Sequence, residues 1–157
     1  MPGEVEDRLR ELGYDLLSVP KPAGSYVPAT STGSLLFTAG QLPLVEGQLR
    51  YTGKVGKEVS VEEAKEAARH CVLNALAAVK AEAGSLDDVR RVVRVTGYVA
   101  SAPGFNRQPE VINGASDFLG EVFGERGTHA RSAVGVAELP LDAPVEVELI
   151  VELTLSS

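Results

Sequence analysis

Apolar residues between positions 61 and 79 recur at helical spacing: Val61, Ala64, Ala68, Cys71, Val72, Ala75, Leu76 and Val79. That pattern lines one side of an α-helix. Ser60-Val61-Glu62-Glu63 ahead of it forms a capping box, and Gly84 beyond it supplies a left-handed stop. Past the stop the period drops to two. Val89 to Ala100 places Val89, Val93, Val95 and Val99 on one face and Arg90, Arg94, Thr96 and Tyr98 on the other, the alternation of a strand that Pro103 ends. The helical period returns from Gln108 to Phe123, with Ile112, Ala115, Leu119, Val122 and Phe123 inward and Gly124 as the stop. A final strand carries Val145, Val147, Leu149, Val151, Leu153 and Leu155 on one face and Glu146, Glu148, Ile150 and Glu152 on the other.

The first third is less regular. Val5, Leu9 and Leu12 predict a short amphipathic helix stopped at Gly13. Pro20, Pro22, Gly24 and Pro28 break the next stretch into extended and turn conformations. Ser34 to Leu42 reads as a buried strand bounded by Gly33 and Pro43, and Gln48 to Thr52 is expected to pair with it across the Glu46-Gly47 turn. The resulting order, β-β-β-α-β-α-β-β, predicts an α+β domain spanning residues 1–157, with residues 1–20 as an amino-terminal extension. Two main helices pack on one side of a mixed sheet, and the opposite face carries Arg90, Arg94, Tyr98, Glu146 and Glu148. Such a semi-polar face suits either solvent or an oligomer whose sheets face one another.

Composition narrows the functional classes. A net charge of −7 argues against general affinity for phosphate backbones. The single cysteine, Cys71, rules out an intramolecular disulfide framework and falls on the apolar side of its helix, as an inert core thiol would. No apolar run reaches the roughly 18 residues that span a bilayer, and the amino terminus lacks secretory features, so a cytoplasmic, soluble protein is expected. Two histidines and one cysteine, widely separated, speak against a transition-metal site. No phosphate-cradling glycine loop occurs, and Gly53-Lys54-Val55-Gly56 reads as a turn.

The candidate chemistry lies in the last quarter. Arg131 is flanked by Ala130, Ser132 and Ala133, with Gly135 close behind. Small neighbours leave room for a planar carboxylate to approach a guanidinium and take two hydrogen bonds. His129 shares strand parity with Arg131 and could face the same cleft. Glu146, at the start of the alternating final strand, could assist proton transfer on a small organic acid; otherwise it is a cross-strand partner for Arg90 or Arg94.

These pieces together resemble the RidA/YjgF family, the reactive intermediate deaminases with a chorismate-mutase-like (bacillus-type) fold. The resemblance runs from about Pro22 to Leu153. It rests on Pro22-Ala23-Gly24-Ser25-Tyr26-Val27-Pro28-Ala29, Leu36-Phe37-Thr38-Ala39-Gly40-Gln41-Leu42-Pro43, Ala130-Arg131-Ser132, Val136-Ala137-Glu138-Leu139-Pro140 and Val145-Glu146-Val147-Glu148. The Gly53 to Gly56 segment and Val111-Ile112-Asn113-Gly114-Ala115-Ser116 are similar to a less-studied branch with a longer amino terminus. The resemblance implies a homotrimer with active sites in clefts between subunits. It implies hydrolysis of imine and enamine acids released by pyridoxal-phosphate enzymes, with no cofactor of its own. On that footing Arg131 binds the substrate carboxylate and Glu146 positions or activates water. Tyr26 lines the pocket, Gly40 borders it through its backbone, and Asn113 falls near a family asparagine. Ala39 stands where the family often has serine, and Ala133 where it often has cysteine, a position acting through its backbone. Both changes remove a polar side chain and bear on the substrate.

Two other functional classes remain open at this stage. One is a non-catalytic trimer that binds a small metabolite in the same cleft. The other is the ribonuclease or translation-inhibitor activity attached to older family names, against which the acidic balance and the lack of an aromatic–basic stripe both speak. Chorismate-mutase chemistry also fits an Arg/Glu cleft, but no residue selects it.

Overall fold

A computed structural model of the chain describes residues 3–16, 19–22 and 24–155; Ala23, in the first of the family-like segments, lies outside them. The elements in chain order are α1 (Glu4–Glu11), β1 (Ala29–Thr32), β2 (Leu35–Thr38), β3 (Leu44–Val45), β4 (Gln48–Leu49), α2 (Val61–Ala83), β5 (Val89–Ala100), α3 (Gln108–Phe123), β6 (Ala130–Val136) and β7 (Val145–Leu153). Five strands form one mixed sheet in the order β1-β2-β7-β5-β6, in which only β5 and β6 run parallel. The helix between them makes that parallel connection possible.

The long helices form where their sequences direct. At the start of α2 the Ser60 hydroxyl accepts from Glu63 N at 3.1 Å while Ser60 N donates to Glu63 Oε1 at 2.9 Å, closing the predicted capping box. Gly84 follows with φ +92° and donates its N–H to Lys80 O. Helix α3 keeps the predicted bounds and buries Ile112, Ala115, Leu119, Val122 and Phe123, together with Phe118. Helices α2 and α3 cover one face of the sheet, and their inward residues meet Val92, Val95, Val99, Val145, Val147, Leu149 and Val151 in one apolar core. Where α2 and α3 cross, a Cβ on Gly114 would lie 2.3 Å from Lys65 O, so only glycine permits this approach.

Helix α1 lies on the outer side of the helical layer. The Asp87 carboxylate accepts from Glu4 N and Val5 N at 3.1 and 3.0 Å, capping α1 from a distant part of the chain. Val5 and Leu9 are buried beneath it.

Four expectations are corrected. Among the described residues four strands, not three, precede α2, because Ala29–Thr32 pairs with Leu35–Thr38. The strand at Gln48–Leu49 pairs with Leu44–Val45 and not with the 34–42 run; the tight turn at Glu46 and Gly47, both at positive φ, can only join immediate neighbours. In β5, Val92 rather than Val93 faces the core, because the register with β7 shifts between Val89/Arg91 and Val92/Arg94, and each bulge reverses the alternation. Finally, β7 stops at Leu153, which is half-buried, and Leu155 is 63% exposed beyond the last paired residue.

Candidate functional site

The predicted 34–42 strand is interrupted for a reason that shapes the site. After Thr38 the chain leaves the ladder. The Thr38 hydroxyl accepts from Leu149 N at 2.9 Å in place of a backbone carbonyl, and pairing resumes at Gln41, which exchanges two hydrogen bonds with Val147. Ala39 and Gly40 therefore bow out between two fixed points. Gly40 passes so close to Glu146 that a Cβ there would lie 2.5 Å from Oε2. What favours glycine here is space and not backbone conformation, since its φ is not positive, and a side chain would push the Glu146 carboxylate aside.

Glu146 stands opposite Tyr98 on the sheet face that the helices do not cover. It lines an open cleft of about 650 Å³ with Tyr26, Val27, Thr30, Phe37, Thr38, Ala39 and Gly40. Three sequence-predicted residues, Tyr26, Gly40 and Glu146, thus come together. Burial, then the charge of Glu148, pushes the Glu146 carboxyl above its ordinary value. Glu148 itself is held by the Tyr98 hydroxyl, which donates to Oε1 at 2.8 Å. That bond raises the Tyr98 phenol and keeps it a donor. Neither Arg90 nor Arg94 pairs with Glu146: Arg90 approaches Glu152 at 3.9 Å, and Arg94 donates to Ser132 Oγ at 2.7 Å.

Arg131 is elsewhere. Its register partner on β5 is Val95, a fully buried residue on the helix-covered face. The guanidinium reaches α3, where Nη1 donates to Ser116 Oγ and Nη2 to Pro109 O, both at 3.0 Å. His129 joins the same group through Ser116, at 2.8 Å from Nε2. Asn113 lies on the α3 stripe between Pro109 and Ser116, at i+4 and i−3, and is half-buried. Ala133, two residues after Arg131 and paired with Gly97, shares the helix side and packs against the core. The structure therefore gathers Arg131, His129, Asn113 and Ala133 on one face, and Tyr26, Gly40 and Glu146 on the other.

The separation is large. Arg131 and Glu146 differ by two strands and three register positions, which puts their Cα atoms on the order of 14 Å apart. A small organic acid cannot bridge that distance through a sheet. The two groups could therefore meet one small ligand only if two copies of the chain contributed one each.

Sequence reading missed Ser116, which no spacing rule links to Arg131, and the Thr38 and Gln41 contacts that shape the Gly40 bow. In the Gly53 to Gly56 segment both glycines have positive φ and Lys57 N closes a turn on Lys54 O, but Val55 is not free turn: it is buried and pairs with Ser101. Cys71 is fully buried, and burial pushes its thiol well up, as an inert core position requires. Among the described residues no cluster of three or more His, Cys, Asp or Glu side chains could hold a metal, and no helix is long and apolar enough to cross a membrane.

The sequence and the fold both have known relatives. The curated relatives include the protein TCP17 of Trypanosoma cruzi, 44% identical over 96% of this chain and 95% of its own. A 2-iminobutanoate/2-iminopropanoate deaminase of Dermatophagoides farinae is 32% identical, covering 84% of this chain and 88% of that protein. Among solved structures, the protein Atu1372 of Agrobacterium tumefaciens, of unknown function, superposes with a TM-score of 0.90 at 48% identity, over 96% of this chain and 92% of that one. The family described as "YjgF/chorismate_mutase-like, putative endoribonuclease" matches residues 6–153, and with these relatives it establishes that the chain belongs to the YjgF/RidA family.

Proposed function

We propose that this protein hydrolyses small 2-imino and 2-enamino acids, of the kind released by pyridoxal-phosphate enzymes, to 2-ketoacid and ammonia. The observation that carries the reading is the half-buried Glu146 carboxyl, raised in proton affinity and lying close to the Gly40 backbone in an open cleft. The name of the Dermatophagoides relative supports the reaction class.

The chemistry needs little from the protein. A protonated imine is already electrophilic at C2. Glu146, as carboxylate, takes one proton from water as the new C–O bond forms and gives it to the nitrogen; as the C–N bond breaks, the carboxylate takes the hydroxyl proton, so that ketoacid and ammonia leave. A carboxyl raised towards neutrality serves both steps better than one of ordinary acidity. Arg131 of a second copy would hold the substrate carboxylate. Val134, beside Tyr98, and Phe37, paired with Ile150, are exposed on the uncovered sheet face and give it apolar surface to bury in a homotrimer. No cofactor enters the scheme, and a cytoplasmic setting suits substrates released by soluble enzymes.

The ribonuclease reading is carried by names alone, that of the family and those of similar solved structures called putative endoribonucleases. The net charge of −7 works against it. A non-catalytic binder would use the same cleft without turnover. The deciding experiment supplies freshly generated 2-aminoacrylate, or its four-carbon homologue, and follows ketoacid release. Acceleration by wild type that is lost in Arg131→Ala and in Glu146→Gln is the expected result. Tight binding of the ketoacid without acceleration would favour the binder.

A further inference from the structure

We infer that Ser116 and His129 are positioning residues for the Arg131 guanidinium. The inference deepens the proposed function, on which its catalytic consequence rests, but the geometry stands without it. Ser116 Oγ lies 3.0 Å from Arg131 Nη1 and 2.8 Å from His129 Nε2, and His129 Nδ1 lies 2.6 Å from Gly127 O.

With a neutral imidazole, valence fixes the direction of every bond in this chain. A carbonyl oxygen only accepts, so His129 Nδ1 carries the ring proton and donates it to Gly127. In the neutral ring Nε2 is then an acceptor. A guanidinium only donates, so Ser116 accepts from Arg131 and passes its single proton to His129. The order Arg131, Ser116, His129, Gly127 carbonyl leaves no donor or acceptor in conflict. It terminates on backbone, in the turn that enters β6.

Two consequences follow. The guanidinium is held at both Nη atoms, by Ser116 and by Pro109 O, along one stripe of α3. Two of its five N–H groups are committed to the protein, leaving three for an incoming carboxylate. The neutral imidazole, with both nitrogens engaged, has no polar atom left for a ligand, so His129 acts through Ser116. An arginine on the edge strand loses much rotamer freedom when it binds an anion. Ser116 and His129 remove part of that cost before the ligand arrives.

The test uses the full-length protein labelled with 15N arginine and histidine. In wild type, Arg131 should give separate Nη–H signals from slowed rotation, and His129 should show the Nδ1–H tautomer. Ser116→Ala should collapse the Arg131 signals, and Ser116→Thr, which keeps the hydroxyl, should restore them. In turnover of a 2-imino acid, Ser116→Ala should raise KM about tenfold with kcat changed by less than about threefold, and Ser116→Thr should lie within about twofold of wild type. Unchanged Arg131 signals and unchanged KM in Ser116→Ala, or an Nε2–H tautomer in wild type, would overturn the proposal. If Arg131→Ala leaves turnover intact, the deaminase reading fails, while the Arg131 signals still decide whether Ser116 positions the guanidinium.

Discussion

Arg131 and Glu146 leave the same sheet on opposite faces. Arg131, beside buried Val95, reaches back to α3, whereas Glu146, beside Tyr98, opens onto the side that no helix covers. A reaction that needs both must assemble them from two copies of the chain.

That requirement predicts complementation. Arg131→Ala and Glu146→Gln should each be inactive alone. Denatured, mixed in equal amounts and refolded together, they should regain about one quarter of wild-type activity, because each site draws its two residues from independently chosen subunits. Size-exclusion chromatography with activity assays of the mixture reads this directly. A mixture as inactive as its components would show that one chain supplies both residues, or that one of them is not needed.

Gly40 is set by space. Gly40→Ala places a methyl group 2.5 Å from the Glu146 carboxylate oxygen, and the carboxylate must turn away. Displacing a proton-transfer group by about 1 Å can cost about 100-fold in rate. Activity should fall on that order while circular dichroism and the melting temperature stay close to wild type, since the clash falls on a side chain at the edge of a cleft.

Glu146 also predicts a pH dependence of stability. Its native value lies above the ordinary 4.5, so the folded chain holds this proton more tightly than the unfolded chain does. Through the interval from 4.5 up to the raised native value the folded state binds more protons, and stability falls as pH rises. Glu146→Gln removes that loss. The variant should melt above wild type near neutral pH, and the difference should vanish once the solution is acidic enough to protonate both states of the wild-type residue. Thermal melts across the acid-to-neutral range test the sign.

Two glycines of α3 should respond in opposite directions. Gly114→Ala forces a methyl group against Lys65 O at 2.3 Å, a backbone atom that cannot rotate aside, and should cost about 1–3 kcal/mol. At Gly120 nothing lies within 4 Å of a built Cβ. Gly120→Ala should therefore stabilise the fold by about 0.5–1 kcal/mol through helix propensity alone. Urea denaturation of both variants checks the pair.

Much of this architecture was legible in the chain. Ser60 and Glu63 announce the start of α2, and the apolar spacing from Gln108 to Phe123 gives α3 its bounds, because caps and helical periods are local properties. The alternation from Val145 to Val151 orders β7 by the same logic. Ala29–Thr32 escaped notice because Ala-Thr-Ser-Thr has no apolar rhythm, and its strand identity comes from pairing with Leu35–Thr38. Val92 replaced Val93 in the core because a bulge is a relation between two strands and leaves no mark in one.

The candidate site divides along the same line. On its own the sequence singled out candidates for the chemistry, a guanidinium among small neighbours and a carboxylate on an alternating strand, while Gly40 entered through the family resemblance. Tertiary structure alone decided which way they point. Ala130 to Val136 lacks the alternation that would reveal a face, so the direction of Arg131 is set by parallel register with β5 and by the Ser116 and Pro109 acceptors on α3. Gly40 meets Glu146 only because Thr38 and Gln41 pin the bow between them to β7. Local chemistry is written in consecutive residues, whereas facing and proximity arise from contacts between segments far apart in the chain.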